Sequence, residues 1–182
     1  MIELGTLRAI AVLAISALLA ITVPELAGAH SASDAYLTLT YEGSISTGRS
    51  EIHGQWDISL RDLDFVLKLD DDGDGRVTWG EMRNHQAAIE GYVYRYLQVE
   101  GGAANKCSIK PRRQMIDDHA DGAYVALFFD VICASAPKKL TVHYNLFFAI
   151  DPSHRGIFLM KTGANVATAL LAPENAKIDL VL

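Results

Sequence analysis

The chain has 182 residues with 22 acidic against 16 basic side chains, a net charge of −6, and half of its residues are hydrophobic. That apolar content excludes a disordered acidic chain, and the scarcity of clustered bases excludes a nucleic-acid binder, since Lys110, Arg112 and Arg113 form the only dense basic group. The length is that of one domain with a proper core.

Met1 to Ala29 reads as a signal peptide. Arg8 precedes an apolar run from Ala9 to Val23, and Ala27-Gly28-Ala29 supplies the small-x-small pattern that a signal peptidase cleaves. The alternative is an uncleaved N-terminal segment that anchors the protein to a membrane, but the run is only about 15 residues where a span takes about 20. No later segment could cross a bilayer as a helix. The expected product is therefore periplasmic or secreted, a single β-rich domain over 30–182, with His30 at its new N-terminus. Its 153 residues carry 20 acids and 15 bases.

Period-two alternation opens that domain. Leu37, Leu39 and Tyr41 alternate with Tyr36, Thr38 and Thr40, a turn follows from Gly43 to Gly48, and Ile52, Gly54, Trp56 and Ile58 alternate again, predicting a hairpin. At Ser59 the spacing changes. Ser59 with Asp62 three residues on predicts a helix start, and Leu60, Leu63, Val66 and Leu67 recur at helical intervals up to Leu69.

Residues 70–81 then read DDDGDGRVTWGE. Asp70, Asp72 and Asp74 stand at positions one, three and five of a twelve-residue loop, the Arg76 carbonyl at seven, Thr78 at nine and Glu81 at twelve. A hard cation that takes six to eight oxygens is served by alternating carboxylates, one carbonyl and a final glutamate able to bind through both oxygens. Gly75 at position six permits the sharp reversal that brings the later ligands round. This is the pattern of an EF-hand, predicted over 57–92, with Ca2+ as the ion. An acidic surface turn is the competing reading, because Asp and Gly are also the commonest turn formers. Met82, Ile89, Val93, Tyr96 and Leu97 mark one face of the second helix, with an interruption expected at Gly91. Trp56 and Trp79 flank the helices and are expected to bury them against the strands. No second loop of this kind occurs, so Val77 must pack on the body of the domain.

Further strands are predicted at 106–116, 122–134, 139–150, 156–161, 165–172 and 176–182, with turns at Asp121-Gly122, Ala136-Pro137 and Asp151-Pro152. The expected fold is mainly β: an antiparallel, immunoglobulin-like sandwich with the helix-loop-helix inserted between its second and third strands. Cys107 and Cys133 both fall in the exported part. An even pair in an oxidising compartment is expected to form a disulfide, the alternative being two buried thiols.

Six histidines invite a second site. His119 lies in Asp117-Asp118-His119-Ala120-Asp121 and His154 in Asp151-Pro152-Ser153-His154-Arg155, each either an imidazole–carboxylate pair or a polar turn. A free His30 amine and ring could hold nickel or copper, with His53, His85 or His143 completing the site. Tyr92 and Tyr96 share a helical face suited to core or interface. There is no G-x-S-x-G turn, H-E-x-x-H helix or phosphate-binding glycine loop, so no enzymatic activity is expected.

The run HGQWDISLRDLDFVLKLDDDGDGRVTWGEMRNH, followed by IDDHADGAYVALFF, a second cysteine and YNLFFAIDPSHRG, resembles the extracytoplasmic N-terminal region of HupE/UreJ-like bacterial membrane proteins. The opening AHSASDAYLTL fits the same pattern. That resemblance implies an ectodomain normally followed by several membrane-spanning helices and associated with hydrogenase and urease accessory roles, including nickel uptake. The sequence stops at Leu182 without such spans, so what the resemblance implies here is the ectodomain with its loop: either a free-standing version of that module, or one whose membrane half is encoded separately or has been lost. Two functions are accordingly expected: a non-catalytic, exported calcium-binding module in which the ion stabilises the fold or a partner-docking surface, or an accessory domain for nickel or copper capture.

Overall fold

The computed structural model describes residues 33–43, 50–102 and 106–182; residues 1–29, which the sequence predicts to be a signal peptide, His30 and residues 44–49 of the predicted first turn lie outside them. Nine strands, three short α-helices and one 3-10 turn (Tyr94–Tyr96) follow one another along the described chain. The strands are β1 (Asp34–Gly43), β2 (Ser50–Ser59), β3 (Leu97–Glu100), β4 (Cys107–His119), β5 (Gly122–Cys133), β6 (Lys139–Tyr144), β7 (Arg155–Thr162), β8 (Asn165–Leu171) and β9 (Lys177–Val181). Helices α1 (Leu60–Leu67), α2 (Trp79–Asn84) and α3 (Gln86–Val93) intervene between β2 and β3, where the period-3.6 segment predicts them.

The strands form a six-stranded sheet ordered β4-β5-β2-β1-β7-β8 and a three-stranded sheet ordered β3-β6-β9. One hydrophobic core joins residues of both, including Leu37, Trp56, Leu127 and Phe158 from the larger sheet and Leu140, Val142 and Tyr144 from the smaller. The alternation in β1 and β2 does what period two requires: Ala35, Leu37 and Leu39 face inward beside Trp56 and Ile58, and the residues between them turn outward.

The all-antiparallel expectation is corrected at the centre of the larger sheet. β1 pairs antiparallel with β2 but parallel with β7, with Leu37 opposite Phe158 and Leu39 opposite Met160. Alternation along one strand does not encode its neighbour's direction, and residues 44–154, which separate β1 from β7, supply the long crossover that a parallel pair needs. Two other expectations fail at element boundaries. The strand predicted over 139–150 ends at Tyr144, and Leu97, placed on a helical face by its spacing, instead opens β3 opposite Tyr144. The second helix breaks at His85 and not at Gly91, which lies within α3.

Two glycines are required by packing. A Cβ on Gly54 would sit 2.2 Å from the Phe129 ring, and one on Gly156 would sit 2.9 Å from the ring of Tyr144. Tyr144 meets Trp56 edge-on, with centroids 5.5 Å apart, so the two sheets are bridged by aromatic rings seated on bare backbone. At the outer end of the β4–β5 pair, Cys107 and Cys133 stand opposite each other and form the expected disulfide. Closing that loop adds about 3 kcal/mol in the chain-entropy picture. Gly54→Ala is expected to destabilise the domain by about 1–3 kcal/mol through overpacking. Thermal denaturation should show a loss of several degrees, partly restored by Phe129→Leu; an unshifted melt would remove the close ring contact from the account.

Candidate metal centre

The loop between α1 and α2 is held at both ends before its own residues are considered. Ser59 caps α1, accepting from the Asp62 amide at 3.4 Å, as its spacing predicts. The helix ends at Lys68, whose backbone is left-handed (φ 56°) and whose amide returns to the Asp64 carbonyl at 2.9 Å. The Asp64 carboxylate then accepts from the amides of Leu69 (2.7 Å) and Asp70 (3.0 Å). At the far end Thr78 and Glu81 form a capping box on α2. The Glu81 carboxylate accepts from the Thr78 amide and hydroxyl, both at 2.7 Å, and through its other oxygen from the Asp71 amide at 2.8 Å. Those donors, the Thr78 amide foremost, hold the Glu81 carboxyl down at about 2.

Between these anchors Asp70 folds the chain over itself, accepting from the Gly73 amide through one oxygen and the Gly75 amide through the other, each at 2.8 Å. Gly73 and Gly75 both take positive φ, 74° and 84°, where a side chain would be strained. Asp72 and Asp74 make the same short turn with the amides two residues on, those of Asp74 and Arg76. The outcome is that one carboxylate oxygen from each of Asp70, Asp72 and Asp74 lies within 4.8 Å of the others, the only such group of potential metal ligands among the described residues. Each like-charge pair at that spacing costs about 1 kcal/mol even at the dielectric of water, a cost that a divalent cation reverses.

The sequence-predicted ligands thus divide. Asp70, Asp72 and Asp74 converge, whereas Thr78 and Glu81 are tied to each other and to Asp71 as a cap, and the Arg76 amide serves the Asp74 turn. Val77 is half-buried against the core, as the lack of a second loop requires. It walls a cleft of about 370 Å3 shared with Asp64, Ile116, Asp118 and Asp121, which sets the loop beside the β4–β5 turn. Trp56 is fully buried as expected, but Trp79 is 47% exposed. Its position as the first residue of α2, directly after the Thr78 cap, keeps it on the solvent side.

The histidines are dispersed. His53 pairs with Asp130 at 2.9 Å, beside Arg112, and His85 with Asp71 at 2.9 Å on the rim of the acidic loop. His119 stacks on Tyr124 with centroids 4.0 Å apart and comes no nearer than about 4 Å to Asp57 and Asp117. His143 is half-buried in β6, opposite Gln98 of β3 and Lys177 of β9. Arg113, from the basic cluster, lies over the Phe128 ring. Tyr92 and Tyr96 do share a face, with ring centroids 5.1 Å apart.

His154 is the exception, and its role was not legible. It is fully buried, with Nδ1 2.7 Å from the Ser33 hydroxyl and Nε2 2.7 Å from the Tyr144 hydroxyl. Ser33 donates to Asp62 of α1 at 2.8 Å. Its proton being committed there, Ser33 accepts from His154 Nδ1–H, which leaves Nε2 to accept from Tyr144: a neutral imidazole in one tautomer. The chain ties the start of β1, helix α1, β6 and the residue before β7 together. It offers no nucleophile, since the serine proton points at Asp62 and the imidazole has no open face. Partners 121 residues apart leave no spacing signal, whereas the capping box carries one, the Thr-x-x-Glu spacing of Thr78 and Glu81.

The chain matches no protein-family profile and no curated protein. Among the described residues no helix is long and apolar enough to cross a membrane.

Burial pushes the His154 imidazole down to about 4, against the opposing pull of Asp62 and Asp151 and with a smaller push from Arg155. An unfolded chain binds that proton near pH 6.5, so the unfolded state is the more protonated between the two values and stability falls as pH drops through that window. The expected loss is about 3 kcal/mol from pH 7 to pH 4. Urea denaturation at pH 7, 5.5 and 4.5 should show it, and His154→Gln should start less stable but lack the step. Parallel pH profiles for the two proteins would refute the buried neutral histidine.

Proposed function

We propose that this protein is an exported calcium-binding module without catalysis of its own, in which Ca2+ stabilises the fold and the surface around the α1–α2 loop that a partner would meet. The reading rests on one observation: three carboxylates held within 4.8 Å of one another in a helix-loop-helix with glycine at the sixth loop position. An all-oxygen donor set suits a hard cation and not nickel or copper. In the calcium-bound form Asp70, Asp72 and Asp74 would be joined by the Arg76 carbonyl, by Thr78 and by the Glu81 carboxylate, as in an EF-hand. Glu81 is already beside the loop and needs only to exchange amide donors for the ion. The disulfide fits an oxidising compartment, in keeping with a cleaved signal at residues 1–29.

The resemblance to HupE/UreJ-like ectodomains supports a membrane protein as the partner. The alternative, nickel or copper capture, draws on that resemblance alone: the described histidines are dispersed, and His30 lies outside the described residues.

Calorimetric titration of the metal-stripped protein is expected to give one calcium site with a dissociation constant of about 0.1–1 mM, the range of extracellular modules. Trp79, exposed at the end of the loop, should report it by fluorescence. At a calcium concentration a hundredfold above that constant the fold gains about 2.7 kcal/mol, or about 5–10 °C in melting temperature. Asp70→Asn and Asp74→Asn should each abolish the gain. A calcium-insensitive melt, or tight nickel binding in its place, would overturn the proposal.

A further inference from the structure

Every open sheet has edges whose unpaired amides and carbonyls can recruit another strand, and folded proteins blunt them with charge, proline, bulges or brevity. Among the described residues, three of the four sheet edges are blunted in those ways. β4 carries Lys110, Pro111, Arg112 and Arg113, with its register shifting between Pro111 and Arg113. β3 is four residues long and ends in Glu100, and β9 presents Lys177 and Asp179.

The fourth edge, β8, is not blunted. Its seven residues, Asn165-Val166-Ala167-Thr168-Ala169-Leu170-Leu171, include no charge and no proline, and Val166 and Leu170 are 61% and 56% exposed. The Leu170 carbonyl accepts from the Asn175 side-chain amide (3.2 Å), and in the two-residue β7–β8 hairpin strand alternation turns the backbone groups of Val166, Thr168 and Leu170 toward the free edge. Their side chains share the outer face of the sheet with Ile157 and Leu159, the neighbours of Leu170 and Thr168 on β7.

The strand is also close to a palindrome about Thr168. Laid antiparallel against a second copy with the twofold axis at that residue, it sets Thr168 opposite Thr168, Ala167 opposite Ala169 and Val166 opposite Leu170. Thr opposite Thr is a favourable cross-strand pair, the small alanines let the strands approach, and no pair requires a charge to be buried. The Leu170 carbonyl keeps a second lone pair for the new amide donor.

We propose that β8 is a homodimerisation edge, through which two copies of this chain pair antiparallel about Thr168 and join their six-stranded sheets into one. The contact is isologous and closes at two copies, as a twofold interface must. It lies at the opposite side of the sheet from β4 and β5, whose connecting turn borders the acidic loop, and so does not depend on the calcium reading.

The test is sedimentation velocity of the protein from about 1 μM to about 1 mM, the range in which a small interface shows its equilibrium, with and without calcium. The expected result is a reversible monomer–dimer equilibrium that calcium leaves unchanged. Thr168→Lys places like charges across the axis, and Thr168→Pro removes an edge-facing amide without touching a bond to β7. Each should weaken the dimer at least tenfold and leave the melting temperature of the monomer in place. Thr168→Cys should cross-link on oxidation, and Lys110→Cys on the opposite edge should not. A protein that stays monomeric throughout, leaving the edge for a strand of some other protein, would overturn the proposal, as would a dimer that both Thr168→Lys and Thr168→Pro leave intact.

Discussion

Three carboxylates repel one another, and a chain that keeps them together without help from an ion must be fixed on both sides. That constraint organises the inserted helices. Before the loop, the Asp64 carboxylate holds the amides of Leu69 and Asp70, and after it Glu81 holds those of Asp71 and Thr78. Both anchoring side chains are themselves anionic, so the loop holds five carboxylates, those of Asp64, Asp70, Asp72, Asp74 and Glu81, that accept from backbone amides. Amide dipoles stand in for part of the positive charge that the cluster lacks.

The frame is in turn attached to the body by Val77 on the core and by the chain of hydrogen bonds from Asp62 through Ser33 and His154 to Tyr144. Replacing a member of that chain would leave a buried polar group unsatisfied, the costlier half of the asymmetry in hydrogen-bond energetics. Tyr144 belongs to two systems at once, ending the polar chain through its hydroxyl while its ring rests over Gly156 and against Trp56. The sheet-to-sheet packing and the placement of α1 therefore share one residue.

What could be read from the residues was what is local. Alternation placed β1 and β2, turn residues bounded the strands that became β5 and β7, the Ser59–Asp62 spacing placed the start of α1, and the loop pattern picked out Asp70, Asp72 and Asp74. What escaped was set by partners distant in sequence. The parallel alignment of β1 with β7, the burial of His154 beneath Ser33 and the strand beginning at Leu97 all depend on residues with no fixed offset along the chain. Leu97 is instructive, because its helical spacing from Val93 is real, yet pairing with Tyr144 decides its conformation. Trp79 departs in the other direction: the size of its ring predicts burial, and its place at a helix start leaves it half in water.

The parallel pairing of β1 with β7 also bears on how the domain comes to be folded. β1 lies inside the six-stranded sheet, yet one of its two neighbours is drawn from residues 155–162, beyond both the helices and the smaller sheet's first two strands. Until that late segment docks, β1 presents an open, apolar, hydrogen-bonding flank, and the loop-closure entropy of the intervening chain slows the docking. The hairpin of β1 and β2 can form early, but the sheet is sealed from its middle only after most of the polypeptide is available. A ribosome-bound chain must therefore keep its first strand unpaired on one side for most of its own synthesis.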